Sequence, residues 1–506
     1  MVAHIISVAP IGFDGSIIEV ESDAKKGLPT IQIVGMGNKA IDEAKERVRS
    51  AISNSLLEFP SKKITINLAP AELPKDGAHF DLPIALSILV SSGQLHQEEV
   101  NKAVYAGELA LDGALRPIRG SINIAETAKN AGYERVYLPK QNAEQACLIE
   151  DIEVIGISTL KELFLHLKKE TIAHPHSVSN IREIHADHAG PKLDDIHGQD
   201  TAKRALTIAT AGRHNILLNG PPGAGKTMLA KTLVGLLPDL TASEKIATTK
   251  LHSIAGEVDG EIITRRPFRS PHHTSSRIAL TGGGTKPKPG EISLAHLGVL
   301  FLDELPEYAR GTLEALRQPL EDKEISIARA GGRITYPADF MLVATMNPCP
   351  CGHYGDPTKE CSCTSTQLLS YQKRLSGPLL DRIDMILNVS RISNDSLINT
   401  NILNYSQHHD AIRDISSATK SQFNRYSRSD KYNSSLSSNE VSRHLSLSNE
   451  VRTLLLAATE KLNLSARSYF KIIKVARTIA DLDGDADILP RHVSEALQYR
   501  ANISQS

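Results

Sequence analysis

No apolar run in this chain reaches the roughly 18–20 uninterrupted residues that a membrane span needs, so none is predicted. The start, Met1-Val2-Ala3-His4-Ile5, lacks a basic segment leading into a long apolar one. That predicts no export signal and a cytoplasmic protein. An excess of either charge is missing too: 57 Lys and Arg face 58 Asp and Glu, for a net charge of −1. No global positive field then attracts nucleic acid, and any such binding must come from local patches. Cysteine is scarce, with 5 residues, all but Cys147 between positions 349 and 363. That clustering is no disulfide framework and suits a metal in a reducing cytoplasm. Hydrophobic content of 41% and charged content of 23% are those of a soluble globular chain. At 506 residues the chain exceeds one ordinary core, which predicts several domains.

Residues 1–170 alternate short apolar runs with turn signals. Residues 31–34, 64–68 and 136–138 read as strands, and 84–89 and 122–131 as helices, which makes a separate α/β domain. Residues 171–192 are rich in His, Ser and Asn, contain Pro175 and Pro191, and read as a linker. Residues 193–390 are expected to form a parallel sheet with flanking helices. Residues 391–506 read as helical from Leu397 onward, with a Ser/Asn-rich loop near 427–439.

The apolar run 215–219 leads into Gly220-Pro221-Pro222-Gly223-Ala224-Gly225-Lys226-Thr227. This is a strand entering a loop of the G-x-x-x-x-G-K-[ST] form. Its small residues let backbone N–H groups cradle phosphates, Lys226 can reach the β- and γ-phosphates, and the Thr227 hydroxyl can ligate Mg²⁺. Residues 228–237 read as the helix whose N-terminus favours the anion. Gly298-Val299-Leu300-Phe301-Leu302-Asp303-Glu304 is a buried-strand pattern ending in two acids. Asp303 is expected to hold Mg²⁺ and Glu304 to polarise the attacking water. A glycine turn and an unrelated acidic pair account poorly for both motifs together, so a nucleoside triphosphate with Mg²⁺ is the expected cofactor. A third apolar run ends at Asn347, whose amide can orient that water. Leu375-Ser376-Gly377-Pro378-Leu379-Leu380-Asp381-Arg382-Ile383-Asp384 and Leu464-Ser465-Ala466-Arg467-Ser468-Tyr469 follow.

In this order the segments resemble the Walker A, Walker B, sensor 1, arginine finger and sensor 2 of an AAA+ ATPase. Arg266-Pro267-Phe268-Arg269-Ser270-Pro271-His272-His273, Pro289-Gly290-Glu291-Ile292-Ser293-Leu294-Ala295-His296 and Leu302-Asp303-Glu304-Leu305-Pro306-Glu307 look like the magnesium-chelatase ATPase subunit. The N-terminal region, the cysteine cluster and Lys474-Val475-Ala476-Arg477-Thr478-Ile479-Ala480-Asp481-Leu482 are similar to the YifB/ComM branch of that group. The resemblance covers nearly the whole chain. It implies a Lon-protease-like (S5-like) α/β domain, an AAA+ P-loop domain with a parallel sheet, and a C-terminal helical lid. It implies a homo-hexameric ring with ATP at subunit interfaces. For ComM proteins it implies a DNA helicase that drives branch migration in recombination or natural transformation.

By the same resemblance Arg382 becomes an arginine finger for the neighbouring subunit, where a trans arginine contributes about 10³–10⁵ in rate. The alternative is a surface pair with Asp381 or Asp384. Arg467 becomes sensor 2, or else a helix-surface arginine. Two other functions stay open: a metal-insertion ATPase like magnesium chelatase, and a protein-remodelling ATPase that does not translocate on DNA. The Lon-like domain and the cysteine cluster argue against the first.

Positive charge is concentrated locally. Residues 262–290 hold Arg265, Arg266, Arg269, Arg277, Lys286 and Lys288 with no Asp or Glu. In the family this is the helix-2 insert, which projects towards the ring pore. Arg329 and Arg333 flank Gly331-Gly332 between two β-like runs, a hairpin signal that matches the pre-sensor-1 hairpin. A ring of such segments would line the path of a phosphodiester backbone. Arg277, Lys286, Lys288, Arg329 and Arg333 are therefore the expected contacts to single-stranded or branched DNA. Service at the subunit interface or the γ-phosphate is the alternative.

Cys349-Pro350-Cys351 and Cys361-Ser362-Cys363 are two tight thiolate pairs around a loop with Gly352, Gly355 and Pro357. They can close a tetrahedral site, and zinc suits thiolates at no redox cost. His353 is an alternative ligand, and free or redox-active thiols are the alternative state. Cys147 stands alone and is expected to be buried. Finally, Leu73-Pro74-Lys75-Asp76-Gly77-Ala78-His79-Phe80-Asp81 resembles the segment that carries the serine of Lon-type proteases. So do Gly107-Glu108-Leu109 and Leu115-Arg116-Pro117-Ile118-Arg119-Gly120. The serine position falls on His79 and the lysine position on Ile122. A Ser–Lys dyad needs a hydroxyl and an amine in reach, so a scaffold rather than a protease is expected.

Overall fold

The computed structural model describes the chain apart from residues 1, 35–38, 74, 76, 177–182, 185–189, 259–260, 285–286, 330–331, 357–358, 392–405, 463 and 501–506. The N-terminal α/β unit is built on a mixed seven-stranded sheet. Its order is Thr30–Val34, Lys63–Ala69, Asp14–Lys25, Val2–Ile11, Ala103–Tyr105, Arg135–Pro139 and Glu153–Ile157. Two-residue alternation sets its faces: Ile64, Ile66 and Leu68 are buried along one strand, with Lys63 exposed beside them. Helix Asp81–Ser92 is buried on nearly every side, as its predominantly apolar sequence, with no polar face, predicts. Asp81 opens that helix and pairs with Arg47 at 2.8 Å. Burial pushes its carboxyl up to about 6.

His79 is buried, which pushes its imidazole down to about 4. Its Nε2 has no hydrogen-bond partner among the described residues. Ile122 lies in an apolar cluster with Val104, Ile124 and Val136.

The second main sheet is five-stranded and parallel throughout, in the order Phe268–Arg269, Val299–Leu302, Met341–Met346, Ile216–Asn219 and Met385–Asn388. Its central strands are buried along their whole length, which is why they read as near-continuous apolar runs rather than alternating ones. The C-terminal helices Gln407–Tyr426, Asn449–Lys461, Ala466–Asp483 and Pro490–Gln498 close over this unit. One apolar cluster joins the two parts, in which Leu206, Ile216 and Leu218 of the core are continuous with Ile472, Val475 and Ile479 of the lid. Polar links reinforce the joint: Lys471 pairs with Asp384 at 2.8 Å, and His214 Nε2 shares a hydrogen bond with Thr478 Oγ1 at 2.8 Å.

The N-terminal unit is docked, not tethered. Helix Ser121–Asn130 lies against helix Ala242–Ala255. Buried Lys250 pairs with Glu126, and its Nζ lies 4.1 Å from the centre of the Phe13 ring. Gln145 Nε2 donates to the Glu261 carbonyl at 2.8 Å.

Several expectations need correction. Within the expected linker 171–192, Glu183–Ile184 forms a short parallel strand with Ile262–Ile263. Two residues are too few to leave a periodic signal. The expected loop 427–439 contains a turn of helix at Asn433–Ser435, and a helix capped by Ser437 begins at Ser438. The expected helix after the glycine-rich loop spans Lys226–Leu236. The C-terminal helices begin at Gln407, and the start expected at Leu397 lies outside the described residues. Cys147 is half-buried rather than buried. Its thiol, pushed up to about 11 by burial, donates to the His176 carbonyl.

Candidate functional site

Parallel strands end on one edge of their sheet, so whatever follows each strand is gathered there. Ile216–Asn219 runs into the glycine-rich loop, Val299–Leu302 into Asp303, and Met341–Met346 into Asn347. Neighbouring registers fix their heights: Asn219 lies beside Met346, and Leu302 beside Ala344. Lys226 Nζ donates to the carbonyls of Gly220 at 2.6 Å and Pro221 at 3.0 Å, and to Asn347 Oδ1 at 3.1 Å. Burial lowers its ammonium pKa, against the opposing charges of Asp303 and Glu304. Thr227 Oγ1 donates to Asp303 Oδ2 at 3.3 Å.

The loop fits a phosphate chain. Gly223 and Gly225 have φ of +79° and +83°, and a Cβ on either would meet nothing within 4 Å. The backbone there borders open space that side chains would otherwise occupy. Pro221, Pro222 and Ala224 complete the loop, and the helix begins at Lys226. Thr227 and Asp303 offer the hard oxygen donors that Mg²⁺ takes. When bound, the ion would neutralise phosphate charge. Glu304 follows directly, with φ of +53°, a sharp turn for a residue that is not glycine.

Sequence reasoning missed Thr345. Its hydroxyl donates to Asp303 Oδ1 and accepts the Glu304 backbone N–H at 3.0 Å. One buried hydroxyl thus ties both acids to the strand that carries Asn347. A polar residue inside the apolar run was the available signal.

Arg382 and Arg467 lie elsewhere. Asn215 Nδ2 donates to the Arg382 carbonyl at 3.2 Å, which puts Arg382 beside the start of Ile216–Asn219 rather than its loop end. The strand's four residues separate those ends by about 13 Å. Arg467 sits in the first turn of Ala466–Asp483, capped by Ser465. Glu321 joins the two: it pairs with Arg382 and, at 3.1 Å, with Arg467. The expected alternative for Arg382, a pair with Asp381 or Asp384, is therefore replaced by Glu321. A cavity of about 470 Å³ opens here, lined by Glu321, Arg382, Arg467, Lys471 and Asp384 among others.

The cysteine cluster closes as its spacing predicts. Cys349, Cys351, Cys361 and Cys363 bring their sulfurs within 4.8 Å of one another. The Cys349–Cys351, Cys351–Cys361 and Cys349–Cys361 distances are 3.3, 3.5 and 3.7 Å. A tetrahedron with Zn–S bonds of about 2.3 Å has edges of about 3.8 Å. A hydrogen bond from the His353 backbone is the main influence holding the Cys351 thiol down to about 5. The His353 ring is turned to Asp356 at 3.3 Å and is not among the clustered donors.

Of the basic residues, Arg277, Lys288 and Arg333 are exposed. Strands Glu324–Arg329 and Gly332–Pro337 form the expected hairpin, and Arg333 Nη2 donates to Ser326 Oγ at 2.8 Å. Lys286 and the side chain of Arg329 lie outside the described residues. Two members of the basic segment are neutralised. Arg266 is buried against Glu244 at 3.0 Å, and Arg269 pairs with Glu257 and Glu291 at 3.0 and 2.6 Å.

Among the described residues no helix is long and apolar enough to cross a membrane. Comparison with known proteins matches subunit ChlI of Mg-chelatase at residues 20–142, the magnesium chelatase subunit ChlI family at 192–397, and its C-terminal region at 407–500. The competence protein ComM of Haemophilus influenzae is 43% identical over 505 residues, which are 99% of this chain and 98% of that protein. The protein YifB of Escherichia coli is 42% identical over 499 residues, 97% of this chain and 96% of that protein. The magnesium-chelatase 67 kDa subunit of Chlorobaculum parvum is 27% identical over 157 residues, 30% of this chain and 23% of that protein. The chain therefore belongs to the ComM/YifB branch of the magnesium-chelatase-like AAA+ ATPases, a family of ATP hydrolases that use ATP with Mg²⁺.

Proposed function

We propose that this ATPase is a DNA helicase or translocase that works as a homo-hexameric ring and promotes branch migration, in recombination or natural transformation. The observation that carries the reading is the separation of Arg382 and Arg467 from the glycine-rich loop of their own chain. Arginines at the opposite end of the sheet are out of reach of their own chain's loop, so a nucleotide they contact belongs to a neighbour, and a head-to-tail contact of that kind forms a ring when its rotation closes. Exposed Arg277, Lys288 and Arg333 then supply positive charge for a phosphodiester backbone. The Haemophilus influenzae relative is named a competence protein, which accords with a role on DNA. In the same reading the four cysteines hold one zinc ion, supported by sulfur separations near a tetrahedral edge.

The hairpin tests the DNA part. Arg329→Ala and Arg333→Ala should weaken DNA binding and unwinding while basal ATPase persists. Each lost phosphate contact should flatten the log–log salt dependence by about one unit. Collapse of basal ATPase with intact DNA binding would assign these arginines to the nucleotide instead.

A further inference from the structure

We propose that the cysteine knuckle clamps the phosphate loop, and that Asp356 and Arg391 are positioning residues for ATP. Gly352 and Asp356 both lie between the two cysteine pairs. Gly352 has φ of +81°, and a Cβ there would meet Pro222 Cδ at 2.6 Å. The knuckle's backbone therefore lies directly against the phosphate loop. The Asp356 carboxylate is 1% exposed and pairs with Arg391 at 3.6 Å. Arg391 Nη2 in turn donates to the Pro222 carbonyl at 3.2 Å. A steric contact and a polar one thus converge on a single residue of the cradle.

The consequence follows from peptide geometry. In a trans peptide the C=O and the next N–H point in opposite directions. Holding the Pro222 carbonyl on the knuckle side aims the Gly223 N–H away from it, where the loop borders open space. The grip thereby pre-orients a phosphate donor before ATP arrives, and preorganisation of this kind strengthens binding. Asp356 keeps Arg391 in place, and the four cysteines hold both ends of the loop that carries Asp356. Only the metal-dependent part of the proposal rests on the zinc reading.

The test uses the full-length protein and a fluorescent, non-hydrolysable ATP analogue. Arg391→Ala and Asp356→Asn should each weaken its binding about tenfold, the scale of one charge-assisted hydrogen bond. Zinc content should not change, and Arg391→Lys should recover part of the affinity. A merely structural role would lower thermal stability but leave the affinity of the folded protein alone. Stripping zinc with a chelator should weaken binding similarly, and by reciprocity saturating analogue should tighten zinc affinity by the same factor. Wild-type affinity in both Arg391→Ala and Asp356→Asn would overturn the proposal. Weakened variants in a protein that contains no zinc would support the clamp and overturn the zinc reading. Zinc whose removal leaves affinity unchanged would overturn the metal-dependent part.

Discussion

Thr345→Val removes one hydroxyl and keeps the shape of the side chain. Thr345 is 0% exposed, so water cannot replace the lost partner. The Glu304 backbone N–H loses its acceptor, and Asp303 Oδ1 loses its donor. A hydrogen bond to a charged group contributes about 1.5–3 kcal/mol and a neutral one about 1 kcal/mol. Asp303 retains Thr227 on its other oxygen, which limits the loss. If about 1.5–3 kcal/mol falls on the placement of Glu304 for water activation, kcat drops roughly ten- to hundredfold. ATP affinity should hold, because the glycine-rich loop and Lys226 are untouched. Thr345→Ser should retain most activity. Glu304→Gln should bind ATP without hydrolysing it, and adding Thr345→Val to it should cost no further rate, since the two act as one unit. Steady-state ATPase with parallel nucleotide-binding measurements gives these values. An unchanged kcat in Thr345→Val would refute the reasoning.

Two further outcomes follow from the same geometry. Lys226→Ala should abolish ATP binding and Arg382→Ala should abolish hydrolysis, yet mixing the two proteins should restore part of the ATPase, because a wild-type loop then meets a wild-type arginine across an interface. No recovery at any mixing ratio would count against trans action. Metal analysis should find about one zinc per chain, and any of Cys349, Cys351, Cys361 or Cys363 changed to Ser should lower it, because each thiolate completes the tetrahedron; zinc-free protein purified without chelator would contradict this.

The nucleotide site was legible in the sequence because a parallel sheet puts its chemistry immediately after each buried strand. Asn219, Leu302 and Met346 end apolar runs, and the functional residue comes next each time. Contacts set by tertiary structure were not legible. Glu321 is 61 residues from Arg382 and 146 from Arg467, and nothing local marks it as their common partner. Arg266 and Arg269 read as free positive charge because Glu244, Glu257 and Glu291 are recognisable as their partners only in the fold. Thr345 was hidden by the apolar strand around it. The grip of Arg391 on Pro222 spans 169 residues and needed the fold to become visible.

The central claim is that ATP hydrolysis drives movement on DNA. The most direct measurement is ATPase rate with and without single-stranded and four-way branched DNA, with branch migration followed in the same reaction. The account predicts that DNA raises the ATPase rate, and that wild type but not Glu304→Gln resolves the branched substrate in an ATP-dependent way. An ATPase indifferent to every DNA form, with no branch migration, would contradict it.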